Sequence, residues 1–333
     1  MLATVVAAAF LAAAAVVAGA NRQIRVGLVL DQPLSRGAGD RLSFSAYGGL
    51  QRAARNLRVQ AKAVTPSPVG NDSLAPFTYL ARQHYNLVVA VPFLPGLRLS
   101  QVARRFPDVE FAVLDSSRQD FKSPPANLEG TVFHVEQAAY LAGFVAARMA
   151  DRGPPPHVIG SVGGIPTASV NVLIAGFRAG AKRADPKIRL LNAYTYDFVT
   201  RAKCRHAALD QIAHRSRVVF DVAGDCGLGA LEAAKRKGVF AVGVDTDQSY
   251  LGRFILTSVV KNLNEAVYEL AKRVVDGRLR TGGNLSFDLR NRGVSLGTFS
   301  PEVPRALRRE LVPLASEIEQ GKIVVPTTLS RSQ

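Results

Sequence analysis

The sequence lacks the short motifs that mark the common classes of enzyme. It contains no G-x-S-x-G nucleophile elbow, no Walker loop and no paired-carboxylate motif. Its five histidines are scattered without an H-x-x-H or HExxH spacing, and no cysteine–histidine cluster has the geometry of a zinc site. We therefore expect no enzymatic activity, no cofactor and no metal.

The glycine-rich turns also lack the dinucleotide-binding pattern. Gly160-x-x-Gly163-Gly164 and Gly224-x-x-Gly227-x-Gly229 each follow a predicted strand and precede a predicted helix. Neither matches G-x-G-x-x-G after the first strand of the chain, which argues against a nicotinamide-dependent dehydrogenase.

The formal net charge is strongly positive, +16 for 333 residues, but it does not indicate a nucleic-acid partner. No basic stripe interleaves with aromatic residues, as channels for single-stranded nucleic acid require. No helix-turn-helix precedes the first repeat of strands and helices, so a repressor is not expected. A positive surface favours retention near an anionic cell envelope.

The first twenty residues are apolar, carry no charged side chain and end in Ala18-Gly19-Ala20. That ending resembles a signal-peptidase site and predicts export with removal of residues 1–20. An uncleaved membrane anchor is the alternative, although an alanine-dominated segment is only weakly hydrophobic. Nothing later in the chain is long and apolar enough to cross a bilayer.

Only two cysteines are present, Cys204 and Cys226. In an oxidising compartment, an isolated pair is a candidate disulfide. Two buried free thiols are the alternative.

Strand and helix patterns alternate over residues 24–133 and again over 134–250. This alternation predicts an α/β protein with two doubly wound lobes and parallel sheets. A short tail returns to both lobes. We expect residues 24–133 with 258–282 to form the first lobe, and residues 134–257 with 283–325 to form the second.

The segment Arg217–Gln248 is the most informative unit of the second repeat. It predicts a strand, a turn punctuated by Gly224, Gly227 and Gly229, a helix, and a second strand ending at Asp245. Ligands of parallel sheets bind beyond the carboxyl ends of the strands. We therefore expect Gly224 to form one wall of a ligand cleft.

Polar residues follow several predicted strands and are candidates for ligand contacts. Carboxylates at strand ends accept hydrogen bonds from sugar hydroxyls or ring N–H groups, a lysine donates to an oxygen, and aromatic rings stack on a flat base. The alternative is that each aspartate caps the helix that follows it. The candidates are Asp31, Asp115, Asp245, Asp247, Lys261, Phe44 and Phe198.

The sequence resembles the basic membrane protein family of extracellular substrate-binding proteins for ABC importers, which includes purine nucleoside receptors. The resemblance covers nearly the whole mature chain. It is carried by the segments IRVGLVLD, SAYGGL, VEFAVLDS, EQAAYLAGFVAARM, GSVGGIP, VVFDVAG, VGVDTDQSYL and LTSVVKN. The resemblance implies a type I periplasmic-binding fold, in which two lobes joined by a hinge close on the ligand.

The same resemblance implies roles for individual residues. Asp31 and Asp115 match the acidic residues that end the first and fourth strands. Asp245 and Lys261 lie in segments expected near the sugar, and Phe198 falls where a base-stacking aromatic is expected.

One segment departs from the family. The family usually has D-K-S-F-N before the A-Y-x-G-L helix start, and its Phe and Asn contact the base. Here Leu42 and Ser43 take those two places without a gap, whereas Phe44 and Ser45 take them after a shift of two residues. In either alignment the amide is lost. We name Ser43 and Phe44 as candidate contacts, and the resemblance to the family implies a nucleoside-like ligand.

These observations predict an exported solute-binding protein, monomeric, at the outer face of the cell membrane. Its expected partners are a nucleoside-like ligand and the permease and ATPase of an ABC importer. The alternatives are a ligand-sensing regulatory protein on the same fold without transport, and an enzyme acting on nucleosides.

Overall fold

The computed structural model describes residues 23–31, 34, 41–65, 73–91, 98–279 and 282–329. The predicted leader, residues 1–20, lies outside them, so its cleavage stays a prediction. Within the described ranges, no helix is both long enough and apolar enough to span a membrane.

Six strands, numbered along the chain, form the first sheet. The order across this sheet is β11-β5-β4-β3-β1-β2, and the neighbouring strands from β2 to β5 are parallel. The strands are β1 (Arg25–Val29), β2 (Gln60–Val64), β3 (Leu87–Ala90), β4 (Glu110–Val113), β5 (Leu128–Phe133) and β11 (Asn284–Phe287). The helices between them are α1 (Arg41–Leu57), α2 (Ala75–Arg82) and α3 (Leu99–Arg105).

The second sheet has the order β12-β10-β9-β8-β6-β7. The strands from β7 to β10 are parallel, and β12 pairs antiparallel with β10. The strands are β6 (Val158–Gly163), β7 (Arg189–Tyr194), β8 (Val218–Val222), β9 (Phe240–Asp245), β10 (Ile255–Lys261) and β12 (Val294–Leu296). The helices from residue 135 onward are α4 (Val135–Ala150), α5 (Ala168–Ala184), α6 (Arg201–Ala213), α7 (Gly224–Lys237), α8 (Leu263–Val275) and α9 (Arg305–Glu319). Most of α8, from Val267, belongs to the same compact unit as the first sheet.

The chain adds its strands to both sheets in the same order. Each starts at an inner strand (β1, β6), moves to one side (β2, β7), then crosses to the other side and continues outward. The central strands are apolar and buried, as in β3, where all four residues are buried. Strands buried on both faces are typical of parallel sheets covered by helices. The predicted α/β fold with two doubly wound units is confirmed.

Helices α4 and α5 approach closely because small residues lie at their contact. A Cβ added at Gly143 would lie 1.9 Å from the carbonyl oxygen of Phe177, and one at Gly180 would lie 1.8 Å from that of Tyr140. Neither position therefore accepts a larger residue unless the two backbones separate.

The chain divides into two compact units, each built from separate stretches. The first comprises described residues within Met1–Pro33, Tyr47–Gly130 and Val267–Gly283, and the second those within Leu34–Ala46, Thr131–Ala266 and Asn284–Gln333. The lobe boundaries predicted from the sequence stay a prediction.

Candidate functional site

The carboxyl ends of β9 and β10 bring together two of the predicted site residues. These strands are parallel neighbours, and their register pairs Asp245 with Val260, the residue before Lys261. The Nζ of Lys261 lies 3.6 Å from Oδ1 of Asp245. The lysine is buried and the carboxylate is partly exposed. The ion pair therefore holds a hydrogen-bond acceptor, the carboxylate of Asp245, at the edge of the sheet.

The backbone at Asp245 is unusual. Its φ is +64°, in the left-handed region that few residues other than glycine adopt. Asp115, which follows β4 in the first sheet, has a φ of +55°. Six other described residues besides glycine share this region, and aspartate adopts it more readily than most residues, so the conformation alone assigns no role to either aspartate.

A cavity of about 500 Å³ lies beside the Asp245–Lys261 pair, within the second unit. Phe44 presents a partly exposed ring there, and Ser45 accepts a hydrogen bond from the backbone N–H of Asn264 at 3.2 Å. The lining residues are Arg41, Phe44, Ser45, Thr246, Asp247, Val260 and Lys261.

Arg41 is a charged lining residue that sequence analysis did not name as a candidate. Its guanidinium lies over the ring of Tyr250, 3.6 Å from the ring centroid. Its Nε is buried and has no hydrogen-bond partner among the described residues. The signal in the sequence was the departure of Asp40–Ser45 from the family pattern, but the pairing with Tyr250 depends on tertiary structure.

Asp247 also lines the cavity, but its carboxylate accepts hydrogen bonds from the backbone. Oδ1 accepts the N–H of Ser249 at 3.0 Å, and Oδ2 accepts the N–H of Thr298 at 3.1 Å. Burial raises the pKa of Asp247, but these hydrogen bonds from Thr298 and Ser249 outweigh it and leave the pKa below its ordinary value. Asp247 therefore has a structural role, although the N-cap of the short helix that follows is Gln248.

Phe198 and Gly224 meet at a different place on the same edge of the second sheet. A Cβ added at Gly164, after β6, would lie 2.3 Å from the Phe198 ring, and one at Gly224, after β8, would lie 3.3 Å from the Phe198 carbonyl oxygen. Phe198 therefore packs against Gly164 and Gly224, and its ring is partly exposed. Neither Phe198 nor Gly224 is among the described residues that line the cavity.

The loop that carries Phe198 is tied down by Asp197. Its Oδ1 accepts the N–H groups of Val199 and Thr200, and its Oδ2 lies 2.9 Å from Nζ of Lys203. The hydrogen bonds from Thr200 and Lys203 hold the pKa of Asp197 well below its usual range.

The predicted glycine turn after β8 is wrong, because α7 already begins at Gly224. Gly227 and Gly229 lie inside this helix, where their lack of a side chain allows close packing. A Cβ at Gly229 would lie 1.9 Å from the carbonyl oxygen of Arg201, and one at Gly227 would lie 1.5 Å from Oδ1 of Asp221. The glycines serve helix packing, and only Gly224, at φ +56°, has the backbone of a turn residue.

A disulfide joins Cys204 in α6 to Cys226 in α7. Both cysteines are fully buried, and the hydroxyl of Thr195 lies 3.6 and 3.7 Å from their sulfurs. The bridge links α6, which begins shortly after Phe198, to α7, which begins at Gly224. It therefore restrains the backbone next to Phe198.

The remaining candidates lie elsewhere. Asp31 and Asp115 follow β1 and β4, the two strands that flank β3 at the carboxyl edge of the first sheet. Both are half-buried and take part in polar contacts. Ser43 is buried and is not among the described residues that line the cavity. Their roles as ligand contacts stay predictions.

Comparisons with known proteins give a consistent result. A family model described as "ABC transporter substrate-binding protein PnrA-like" matches residues 38–329. Basic membrane protein A of Borreliella burgdorferi is 28% identical over 313 residues, covering 91% of this chain and 88% of the relative. A Lactococcus lactis protein named ABC transporter nucleoside-binding protein BmpA is 27% identical over 326 residues, covering 91% and 89%.

Among solved structures, an ABC transporter solute-binding protein of Aeropyrum pernix superimposes with a TM-score of 0.72 at 23% identity, covering 93% of this chain and 95% of that one. At that identity the likeness supports the fold alone. The family match, however, takes in every described element that builds the cavity. The chain belongs to the Bmp family of PnrA-like ABC transporter substrate-binding proteins.

Proposed function

We propose that this protein is an extracytoplasmic receptor that binds a nucleoside-like solute and presents it to the permease and ATPase of an ABC importer. The family membership supports the receptor role, and the name of the Lactococcus lactis relative supports the ligand class. The observation that carries the ligand proposal is the Asp245–Lys261 pair beside a cavity with an aromatic wall.

The size of the cavity supports a small ligand. Its volume of about 500 Å³ lies within the range of roughly 300–1,000 Å³ that is common for small-molecule sites.

The polar pair suits a sugar. The carboxylate of Asp245 accepts hydrogen bonds from hydroxyl groups, and the ammonium of Lys261 donates to a hydroxyl or ring oxygen. Since Lys261 already lies 3.6 Å from Asp245, the pair is oriented before the ligand arrives. Pre-orientation reduces the entropy that binding must overcome.

Phe44 and Arg41 suit a flat base. Stacking of a base on an aromatic ring contributes about 1–3 kcal/mol, which makes Phe44 the proposed stacking residue on this wall. The guanidinium of Arg41 offers donors in a fixed plane, and its stacking on Tyr250 limits the orientations it can take. We assign it to acceptor atoms on the edge of the base.

Asp31, Ser43, Asp115, Phe198 and Gly224 are proposed as further contacts or wall residues, on sequence grounds and on their positions at strand and helix ends. Closure of two lobes on the ligand belongs to the same proposal. It predicts a smaller radius of gyration by small-angle X-ray scattering when ligand is added.

Isothermal titration calorimetry of the exported chain tests the ligand class. Nucleosides, free bases, ribose and riboflavin should be titrated in parallel, and we expect saturable binding for nucleosides only. Failure of every nucleoside to bind would remove the ligand assignment and leave the family membership intact. Chromatography after incubation with inosine should find no free base, since we propose binding without chemistry.

A further inference from the structure

A second group of polar side chains lies at the opposite, amino-terminal edge of the second sheet. Asp151 is the C-cap of α4, Asp185 is the C-cap of α5, and His157 immediately precedes β6. The Nδ1 of His157 lies 2.9 Å from Oδ1 of Asp151 and 3.5 Å from Oδ2 of Asp185. One ligand atom from each residue lies within 4.8 Å of the other two.

The helix ends add to the electrostatic cost of bringing two carboxylates together, a cost that a cation beside them offsets. The carboxyl end of a helix carries partial negative charge, so a carboxylate at the C-cap is disfavoured. Here two such carboxylates converge. Burial raises the pKa of Asp151, and the neighbouring carboxylate of Asp185 raises it further, against smaller opposing effects of His157 and Arg148.

Hydrogen bonding within the cluster is incomplete, although Asp151 and Asp185 share a side-chain hydrogen bond. Oδ1 of Asp151 is buried and has no hydrogen-bond partner among the described residues, although it lies 2.9 Å from the imidazole nitrogen. Asp185 uses Oδ1 to accept the N–H of Lys187 at 2.8 Å, which orients Oδ2 towards His157. A single Nδ1–H donates well to only one of two carboxylates.

The same geometry suits a metal ion. An imidazole nitrogen and carboxylate oxygens bind Zn²⁺ at about 2.0–2.2 Å, so the ligand atoms of a tetrahedral site lie roughly 3.3 Å apart. The two distances around Nδ1, 2.9 and 3.5 Å, bracket that value. Three protein ligands leave one position for water. A cation there would also neutralise the two helix ends.

We propose that Asp151, His157 and Asp185 form a binding site for a divalent transition-metal ion of the Zn²⁺ class, separate from the solute site. The ion would join the C-terminal ends of α4 and α5 to the start of β6. Because it would bind only the folded chain, the ion would stabilise the second unit. Sequence analysis did not predict this site, because its three ligands have none of the usual metal-binding spacings.

Calorimetry on the full, tag-free chain tests the proposal after metal has been removed with EDTA and the EDTA dialysed away. We expect Zn²⁺ to bind one ion per chain, Mn²⁺ to bind more weakly, and Mg²⁺ and Ca²⁺ to give no saturable heat. The melting temperature should rise with Zn²⁺ and return to its starting value with EDTA.

Two variants remove one ligand each while keeping similar shapes, His157→Gln and Asp185→Asn. Both should lower Zn²⁺ affinity by at least about tenfold. The matched control is His214→Gln, because His214 and Asp210 form an exposed pair at 3.6 Å, with no third candidate ligand among the described residues. This control should bind Zn²⁺ like the parent chain.

Cobalt provides a readout that does not depend on the variants. The parent chain should show the visible absorption bands of four-coordinate Co²⁺, and Zn²⁺ should displace them. A featureless Co²⁺ titration, equal binding of Ca²⁺, or unchanged Zn²⁺ affinity in both folded variants would each overturn the proposal.

Discussion

The Nζ of Lys261 lies 3.6 Å from Oδ1 of Asp245, and the two residues end neighbouring parallel strands of the second sheet. The backbone of Asp245 has a positive φ. Two residues later, both carboxylate oxygens of Asp247 accept hydrogen bonds from backbone N–H groups. We therefore expect these two aspartates of one segment to have different roles, and substitution can separate them.

Asp245→Asn should weaken binding of the nucleoside ligand by more than about tenfold, because a carboxylate that accepts hydroxyl hydrogen bonds is lost. The melting temperature should also fall, because the buried Lys261 loses the charge of Asp245, so affinity is compared per folded molecule. Asp247→Asn is the comparison, since its amide nitrogen would face a backbone N–H and cost about 1–3 kcal/mol. Calorimetry and thermal melting of both variants decide the matter. If Asp245→Asn lowers the melting temperature but leaves the affinity per folded molecule unchanged, Asp245 is structural.

Arg41→Lys should reduce the preference for bases that carry acceptor atoms. A guanidinium can bind the O6 and N7 acceptors of an oxopurine together, an interaction that contributes about 1–3 kcal/mol to discrimination, whereas an ammonium is a point donor. The test compares affinities for inosine and for purine riboside, which lacks the exocyclic oxygen. Equal loss of both affinities would mean that Arg41 supports the site only through its stacking on Tyr250.

Replacing both Cys204 and Cys226 with alanine should destabilise the protein by about 3 kcal/mol, as expected for a loop closed over 22 positions. Denaturant titration measures the free energy of unfolding. Thiol titration of the unfolded, non-reduced parent chain should find no free thiol. Two free thiols would show that the bridge does not form in solution.

Asp221→Asn should make stability less dependent on pH. Asp221 is fully buried in β8, its Oδ2 has no hydrogen-bond partner among the described residues, and burial raises its pKa to about 8. The folded chain therefore holds a proton that the unfolded chain releases, so this contribution is complete below the ordinary value of 3.8 and is lost as the pH rises through about 8.

Urea unfolding at about pH 5 and about pH 8 measures this effect. The free energy of unfolding of the parent chain should fall between the two conditions by more than that of Asp221→Asn. Parallel changes in both proteins would contradict a buried, protonated carboxyl.

Gly229→Ala should destabilise the protein by about 1–3 kcal/mol, because the new Cβ would meet the carbonyl oxygen of Arg201 at 1.9 Å. Gly48→Ala is the matched control in a helix, since nothing lies within 4 Å of its Cβ. That change should stabilise by roughly 0.5–1 kcal/mol. Thermal melting of the two variants should therefore shift in opposite directions.

Much of the fold was predictable because parallel strands buried on both faces read as short apolar runs between helical patterns. The run Leu87–Val91 predicted a strand, and β3 occupies Leu87–Ala90. The glycines after β8 could not be interpreted the same way. Gly227 and Gly229 look like turn residues in sequence, but their close neighbours, Asp221 and the Arg201 carbonyl, are known only once α7 packs against β8 and α6.

The sequence by itself determined the alternating α/β pattern, the family, and the one cysteine pair that could form a bridge, since all three depend on local order or on counting. Tertiary structure alone decided the rest. It placed Asp245 beside Lys261, stacked Arg41 on Tyr250, and brought Asp151 and Asp185 to one imidazole. Strand order and helix packing set these distances, and neither is encoded in the spacing of residues along the chain.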